Sequence, residues 1–180
     1  MSRSTESKPL LPIAPGVLNP TQWRFVSPPR AEWERTRKIV LKRDDHTCRY
    51  CGHRALKHMH VHHRYRGDVH VPRNLVTCCV ACHAILHVGL NLQLRAVEIW
   101  KSELSQLQIV RKTRRLVKQG VPLQQIKKHL KLKRGELPCK SVEYANLLIS
   151  WGGAAKRISM PDPYRAVFVK FKMWQIEREV

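Results

Sequence analysis

The sequence predicts an α+β fold, mostly helical. A small strand, loop, strand, helix core is clasped by four cysteines and followed by a basic, helical extension. Three observations carry that expectation. Cys48-Arg-Tyr-Cys51-Gly and Cys79-Val-Ala-Cys82 are two matched Cys-x-x-Cys pairs. Between them the apolar residues alternate as in strands, whereas the flanking segments repeat at helical spacing. Finally, Lys+Arg number 34 against 13 Asp+Glu, a formal net charge of +21, and the excess crowds into the C-terminal half.

Taken in order, residues 1–22 are rich in Ser and Pro, lack periodicity and read as a flexible arm, with Trp23, Phe25 and Val26 as its anchor. Pro28-Pro29 opens a helix to about Arg43, because proline in a first turn forfeits only an amide that has no intrahelical partner. Trp33, Arg37, Val40 and Leu41 keep helical spacing, and Asp44-Asp45-His46 ends it. Leu56 to His63 reads as extended, Arg64 to Arg73 as a polar turn about Gly67-Asp68, and Leu75 to Cys78 as a second strand. Cys82 to about Val88 reads as a short helix. These elements make a core over 23–90.

The extension, 91–180, is expected to be mainly helical. Asn91 is placed to cap a long helix to about Gln119, with Leu94, Val97, Ile99, Trp100, Leu104, Leu107, Val110 and Val117 as its apolar stripe. Gly120-Val-Pro122 breaks it, Leu123 to Leu130 forms a second helix, and Ser141 to Ser150 a third before the Trp151-Gly-Gly turn. Asp162 to Arg178 fits a helix start at Asp-Pro and, equally, a strand alternating through Val167, Val169, Phe171 and Met173.

Zinc prefers tetrahedral thiolate coordination, and two intervening residues let one tight turn present two sulfurs. Cys48, Cys51, Cys79 and Cys82 therefore read as a structural zinc site, in a reducing compartment rather than a disulfide framework. Gly52 suits the turn of the first knuckle. Cys78 lacks the spacing and reads as a small buried strand residue; Cys139 is unpaired and structural. The N-terminus has no apolar signal core, and no window reaches transmembrane length, so a cytoplasmic, membrane-free protein is expected.

His83 and His87 lie four apart on the short helix and share one face, enough for two positions around one ion. With His62-His63 upstream, the imidazoles form a second candidate site of different character. His53, His58, His60 and His70 read as exposed or phosphate-facing, with His60 an alternative ligand.

The segment from Trp33 to Val88 resembles the HNH endonuclease family of the His-Me finger (ββα-metal) superfamily. The matching pieces are Trp33-x-x-x-Arg37, the Cys48-x-x-Cys51-Gly knuckle, Val61-His62-His63, Pro72-Arg-Asn-Leu-Val-Thr77 and Cys79-x-x-Cys82-His83-x-x-x-His87. The resemblance implies a ββα-metal core, with His63 as general base and Asn74 steadying the loop behind it. It further implies His62 and His83 as ligands of a catalytic divalent ion, with His87 as a third. That ion is Mg²⁺ or Mn²⁺, with Zn²⁺ and Ni²⁺ as alternatives. A histidine of pKa about 6.5 suits proton removal from water, and a cation opposite it suits charge growing on phosphate oxygens. Adjacent residues of a regular strand face opposite ways, so His62 and His63 can share a site only if the strand bends.

The expected partner is DNA, double-stranded, with a homodimer or partner protein left open. Arg64, Arg66 and Arg73 in the turn are either phosphate grips or solvated. Arg111, Arg114, Arg115, Lys118, Lys127 and Lys128 read as a surface tracking the phosphate backbone, and 116–130 has an outline shared by a helix-turn-helix and by a plain helical hairpin. Trp151, Tyr164, Phe168, Phe171 and Trp174 read as core residues. Two rival expectations stand beside a DNA nuclease: a non-catalytic, zinc-stabilised nucleic-acid-binding module, and a nuclease acting on RNA or single strands.

Overall fold

The computed structural model describes residues 9–16, 28–64, 70–136, 140–141, 143, 162–170 and 173–174. Outside them lie Trp23, Phe25 and Val26, Arg66 with the Gly67-Asp68 turn, Cys139, the Trp151 turn, Phe171, and the Ser141–Ser150 segment except Ser141 and Glu143. The described residues are α+β, with five helices and two separate two-stranded antiparallel sheets.

Helix α1 spans Arg30–Arg43, with Pro29 at its N-cap and Val40 and Leu41 buried on its inner face. Strands β1 (Met59–His63) and β2 (Leu75–Cys79) pair antiparallel, from Met59 opposite Cys79 to His63 opposite Leu75. Arg43 and Asp44 fasten α1 to this hairpin. The Arg43 fork donates to Asp44 through Nε (2.9 Å) and Nη2 (2.8 Å), and to the carbonyls of Pro72 and Leu75 at 2.7 Å each. Asp44 in turn accepts from the Thr77 amide at 2.9 Å. A helix end and a strand thus share one carboxylate. Arg37 adds a bond from Nη2 to the Met59 carbonyl at 2.8 Å.

Helix α2 (Val80–Leu86) leaves β2 without a linker and is followed by α3 (Val88–Gln93). Of the expected N-terminal arm, residues 9–16 lie along this core. Leu11 donates to the Arg49 carbonyl, while Gly16 donates to Ile85 and accepts from Val88. A Cβ on Gly16 would meet the Leu86 carbonyl oxygen at 2.4 Å, which explains a glycine at that crossing.

The single long helix expected from Asn91 to Gln119 is corrected. After α3 the chain turns at Arg95 (φ 50°), runs as strand β3 (Val97–Lys101), and only then enters α4 (Gln106–Lys118). Val97, Ile99 and Trp100 satisfy helical and strand spacing alike. Their partner decides: β4 (Tyr164–Phe168) pairs antiparallel with β3, Val97 opposite Phe168 and Lys101 opposite Tyr164. The ambiguous segment from Asp162 is therefore a strand over its described part. Gln106 covers the outer edge of β4 by accepting from the Ala166 amide and donating to its carbonyl, which blocks further strand addition.

A capping box opens α4, with Ser105 Oγ accepting from the Gln108 amide and Gln108 Oε1 from the Ser105 amide. Gly120 closes it at φ 80°. Its amide bonds the Val117 carbonyl and the Val121 amide bonds the Leu116 carbonyl, a Schellman ending that needs the left-handed conformation glycine adopts freely. Helix α5 (Leu123–His129) follows Pro122. Helices α2 and α4 both pack on β4, joining the hairpin and the extension through one continuous core. Tyr164, Phe168 and Trp174 are buried in it. Among the described residues no helix is long and apolar enough to cross a membrane.

Candidate functional site

The sulfur site is built by two turns brought together. In the first knuckle the Gly52 amide returns to the Cys48 carbonyl (2.9 Å) and the Cys48 amide to the His53 carbonyl (2.8 Å), with Gly52 at φ 79°. The Arg49 amide bonds the Thr77 carbonyl at 2.9 Å and lays this knuckle beside β2, whose last residue is Cys79. Cys48, Cys51, Cys79 and Cys82 are all buried, and their sulfurs lie within 4.8 Å of one another. A tetrahedral zinc with spokes of about 2.3 Å separates its sulfurs by about 3.8 Å. The Cys51 and Cys79 sulfurs are 3.8 Å apart. Donor type, number and spacing therefore fit, and the group could hold a metal ion such as zinc. Cys78 is fully buried nearby, and burial pushes its thiol well up.

Two arginines assigned from sequence to nucleic acid touch this site instead of pointing wholly to solvent. Arg114 Nη2 donates to Cys79 Sγ at 3.1 Å, and its guanidinium lies over the Trp174 ring. Arg111 Nε donates to the Cys51 carbonyl at 3.0 Å. Four thiolates around a divalent ion leave two net negative charges, which a guanidinium bonded to sulfur partly offsets. Burial and then Arg114, with a further contribution from Lys118, lower His53 to about 4.

The imidazoles gather on the hairpin and α2. His62 lies with its ring centroid 5.2 Å from His87 and 6.0 Å from His83, and His83 is 4.6 Å from His87. His60 stacks on His83 at 4.6 Å. His62 and His87 are buried. Burial, followed by the neighbouring His87, His60 and His63, holds His83 well below the usual imidazole range, so it stays neutral with a lone pair available. Even so, among the described residues only the four cysteines form a group of three or more ligand atoms as close as 4.8 Å. The rings of His62, His83 and His87 thus approach one another at their centroids without forming so close a group of ligand atoms.

Strand β1 keeps its register to its last residue, which sets His62 and His63 on opposite sides of the strand, although His63, at the strand's end, still lies within electrostatic reach of His83. The His63 ring stacks on Trp33 (centroids 6.0 Å, planes 12° apart), and its Nε2 lies 3.4 Å from Nδ1 of His70. Trp33 also meets His70 edge-on at 5.8 Å. Asn74 is buried in a 3-10 turn, Pro72–Asn74, and its carbonyl accepts from the Arg64 amide at 2.8 Å. The main chain at Asn74 thus ties down the backbone just after His63. Arg64 is half-buried and Arg73 exposed.

Sequence reasoning missed Tyr50. Its hydroxyl lies 3.0 Å from Nδ1 of His62, with both side chains buried. In the Cys-x-Tyr-Cys knuckle it serves as more than a spacer, because it links the sulfur site to the imidazole group. Its aromatic bulk between two cysteines was the available signal. In the extension Lys127 is committed to the buried Glu98, which Lys140 and Trp100 Nε1 also reach. Arg115, Lys118 and Lys128 are exposed.

Compared with known protein families and with curated proteins, the chain matches none of them.

Proposed function

We propose that this chain is a metal-dependent endonuclease that hydrolyses DNA phosphodiester bonds, with an HNH-type ββα-metal core. The observation carrying this reading is the convergence of His62, His83 and His87 at 4.6 to 6.0 Å between ring centroids, on a hairpin running directly into a helix and with His63 at the hairpin's edge. His62, His83 and His87 would hold Mg²⁺ or Mn²⁺, which supplies positive charge to the non-bridging and leaving oxygens of the phosphate. His63 would take a proton from water as that oxygen attacks phosphorus. The P–O3′ bond then breaks, leaving a 5′-phosphate, and the departing oxygen gains its proton from solvent. Trp33 and His70 fix the His63 ring, and the Asn74 carbonyl fixes the backbone behind it. The four cysteines hold a structural zinc that keeps the knuckles together, and the exposed cations of α4 attract the backbone.

A second reading is a non-catalytic nucleic-acid-binding module on the same scaffold. It is favoured by the opposite facing of His62 and His63 and by the contact between His63 Nε2 and His70. Incubating supercoiled plasmid with Mg²⁺ or Mn²⁺ separates the two. Nicking by the wild type that is lost in His63→Ala supports the nuclease. Equal nicking by both proteins removes His63 as base, and tight binding with no nicking by the wild type leaves the binding module.

A further inference from the structure

Between the first knuckle and the last two turns of α4 lies an open cleft of about 530 Å³. Its walls carry Arg54, Arg111, Arg114, Arg115 and Lys118, with no carboxylate among the described lining residues. Arg111 and Arg114 are set by the knuckle itself, through the Cys51 carbonyl and Cys79 Sγ. Arg54 enters from the opposite wall, braced from outside by Asp45. Arg115 and Lys118 complete the rim and are exposed.

On a helix, residues three and four apart are neighbours. Arg111 with Arg114 and Arg115, and both of these with Lys118, therefore make four like-charged neighbouring pairs, each repelling. An arrangement that concentrates repulsion around a concavity becomes favourable when an anion enters. Among the described residues the lining has no Phe, Tyr or Trp ring, and its one imidazole, His53, is half-buried, so its chemistry is dominated by cations that select phosphate rather than base sequence.

We infer that this cleft holds a backbone phosphodiester of the nucleic-acid strand, so that the cysteine knuckle is one wall of a second phosphate site outside the histidine cluster. The inference rests on the nucleic-acid reading above, but not on catalysis. A strand seated here would be gripped from two elements, which fixes its path over the domain as well as raising affinity. Arg111 and Arg114 would position the wall, while Arg54, Arg115 and Lys118 would meet the phosphate.

The test is fluorescence anisotropy with a labelled 20-base-pair duplex over a KCl series, without added divalent ions. Arg115→Ala/Lys118→Ala is compared with Arg35→Ala/Lys38→Ala, an equal charge change at exposed positions of α1. Each phosphate neutralised contributes about 0.9 to the slope of log K against log salt. The cleft variant is expected to lose about 1 to 2 from that slope, and the α1 variant less than half as much. Arg115→Gln/Lys118→Gln, which keeps long polar side chains on the helix, should behave like the alanine pair. Equal slope losses in cleft and α1 variants overturn the inference, as does a wild type that binds no duplex. Plasmid nicking read alongside keeps the two ideas apart. Nicking with equal slope losses removes the cleft and leaves the nuclease, whereas a selective slope loss without nicking removes the nuclease and supports the cleft.

Discussion

Asp44 is the residue on which the packing of α1 against the hairpin turns, and its removal gives a worked prediction. The carboxylate accepts from Arg43 Nε and Nη2 and from the Thr77 amide, at 2.8 to 2.9 Å. It is 7% exposed. In Asp44→Asn the amide oxygen can still accept from Thr77, but the bidentate charged pair is lost. Hydrogen bonds to charged groups contribute about 1.5 to 3 kcal/mol each. The Arg43 side chain is 33% exposed and keeps two carbonyl partners, so solvent screens part of the loss. The expected cost is about 2 kcal/mol. Asp44→Ala also strands the buried Thr77 amide, adding roughly 1 to 3 kcal/mol, for a total of about 3 to 5 kcal/mol.

Acid should shrink the difference between wild type and Asp44→Asn. Burial pushes the Asp44 carboxyl up, but the bonds from Arg43 and Thr77 and the Arg43 charge outweigh it and leave it below the usual 3.8. A carboxyl depressed in the folded state stabilises fully above its unfolded pKa and loses that contribution as pH falls through the folded value. The gap is therefore constant above about pH 5 and narrows below about pH 4. Any acid-driven loss of metal from the cysteines affects both proteins alike and cancels in the difference. Urea unfolding at pH 7, 5 and 3.5 measures it; with a slope of about 2 kcal/mol/M, the midpoint should drop by roughly 1 M for Asn and about 2 M for Ala. An alanine variant within about 0.5 kcal/mol of wild type, or a gap unchanged at pH 3.5, refutes the clamp.

Two further outcomes follow from the paired sites. Cys82→Ser removes one of four converging sulfurs, and structural zinc contributes on the order of 10 kcal/mol in small domains, comparable to a whole domain's stability. Zinc content should fall from one ion per chain to well below one, with loss of cooperative unfolding; a variant that purifies fully loaded and folded speaks against the site. Tyr50→Phe removes the hydroxyl that lies 3.0 Å from His62 Nδ1 in a buried setting, which should cost about 1 to 3 kcal/mol in stability. It should also raise the Mn²⁺ concentration for half-maximal nicking by about 10- to 100-fold, and an unchanged metal requirement would sink that role for the hydroxyl.

The parts of the fold legible in the sequence are those whose signals are local. Prolines before α1, alternation in β1, the short apolar run of β2 and the Cys-x-x-Cys spacing each act within a few residues, and the structure has these elements near the expected bounds. The strand at Val97–Lys101 was hidden because its partner, Tyr164–Phe168, lies more than sixty residues away, and because its apolar residues also suit a helix. No glycine or proline marks the turn at Arg95. The start of α4 lies in Ser105-x-x-Gln108, a local capping box that the longer apolar stripe running through it masks. Charge misleads for a related reason. Lys127 looks like its exposed neighbour Lys128, yet a buried glutamate from another element claims it. At the site, the closeness of His83 and His87 agrees with helical spacing, whereas the approach of His62 from the hairpin, the Tyr50 bond to it and the Trp33 stack on His63 depend on packing no spacing reveals.

The most direct test of the central claim is chemical rescue of His63→Ala. Nicking of supercoiled DNA in Mn²⁺ should fall by about 10²- to 10⁴-fold, the usual worth of a general base. Free imidazole should restore part of it, increasingly as pH rises through about 7 and the added base becomes neutral. A variant that nicks as fast as wild type without imidazole would contradict the assignment and with it the catalytic reading.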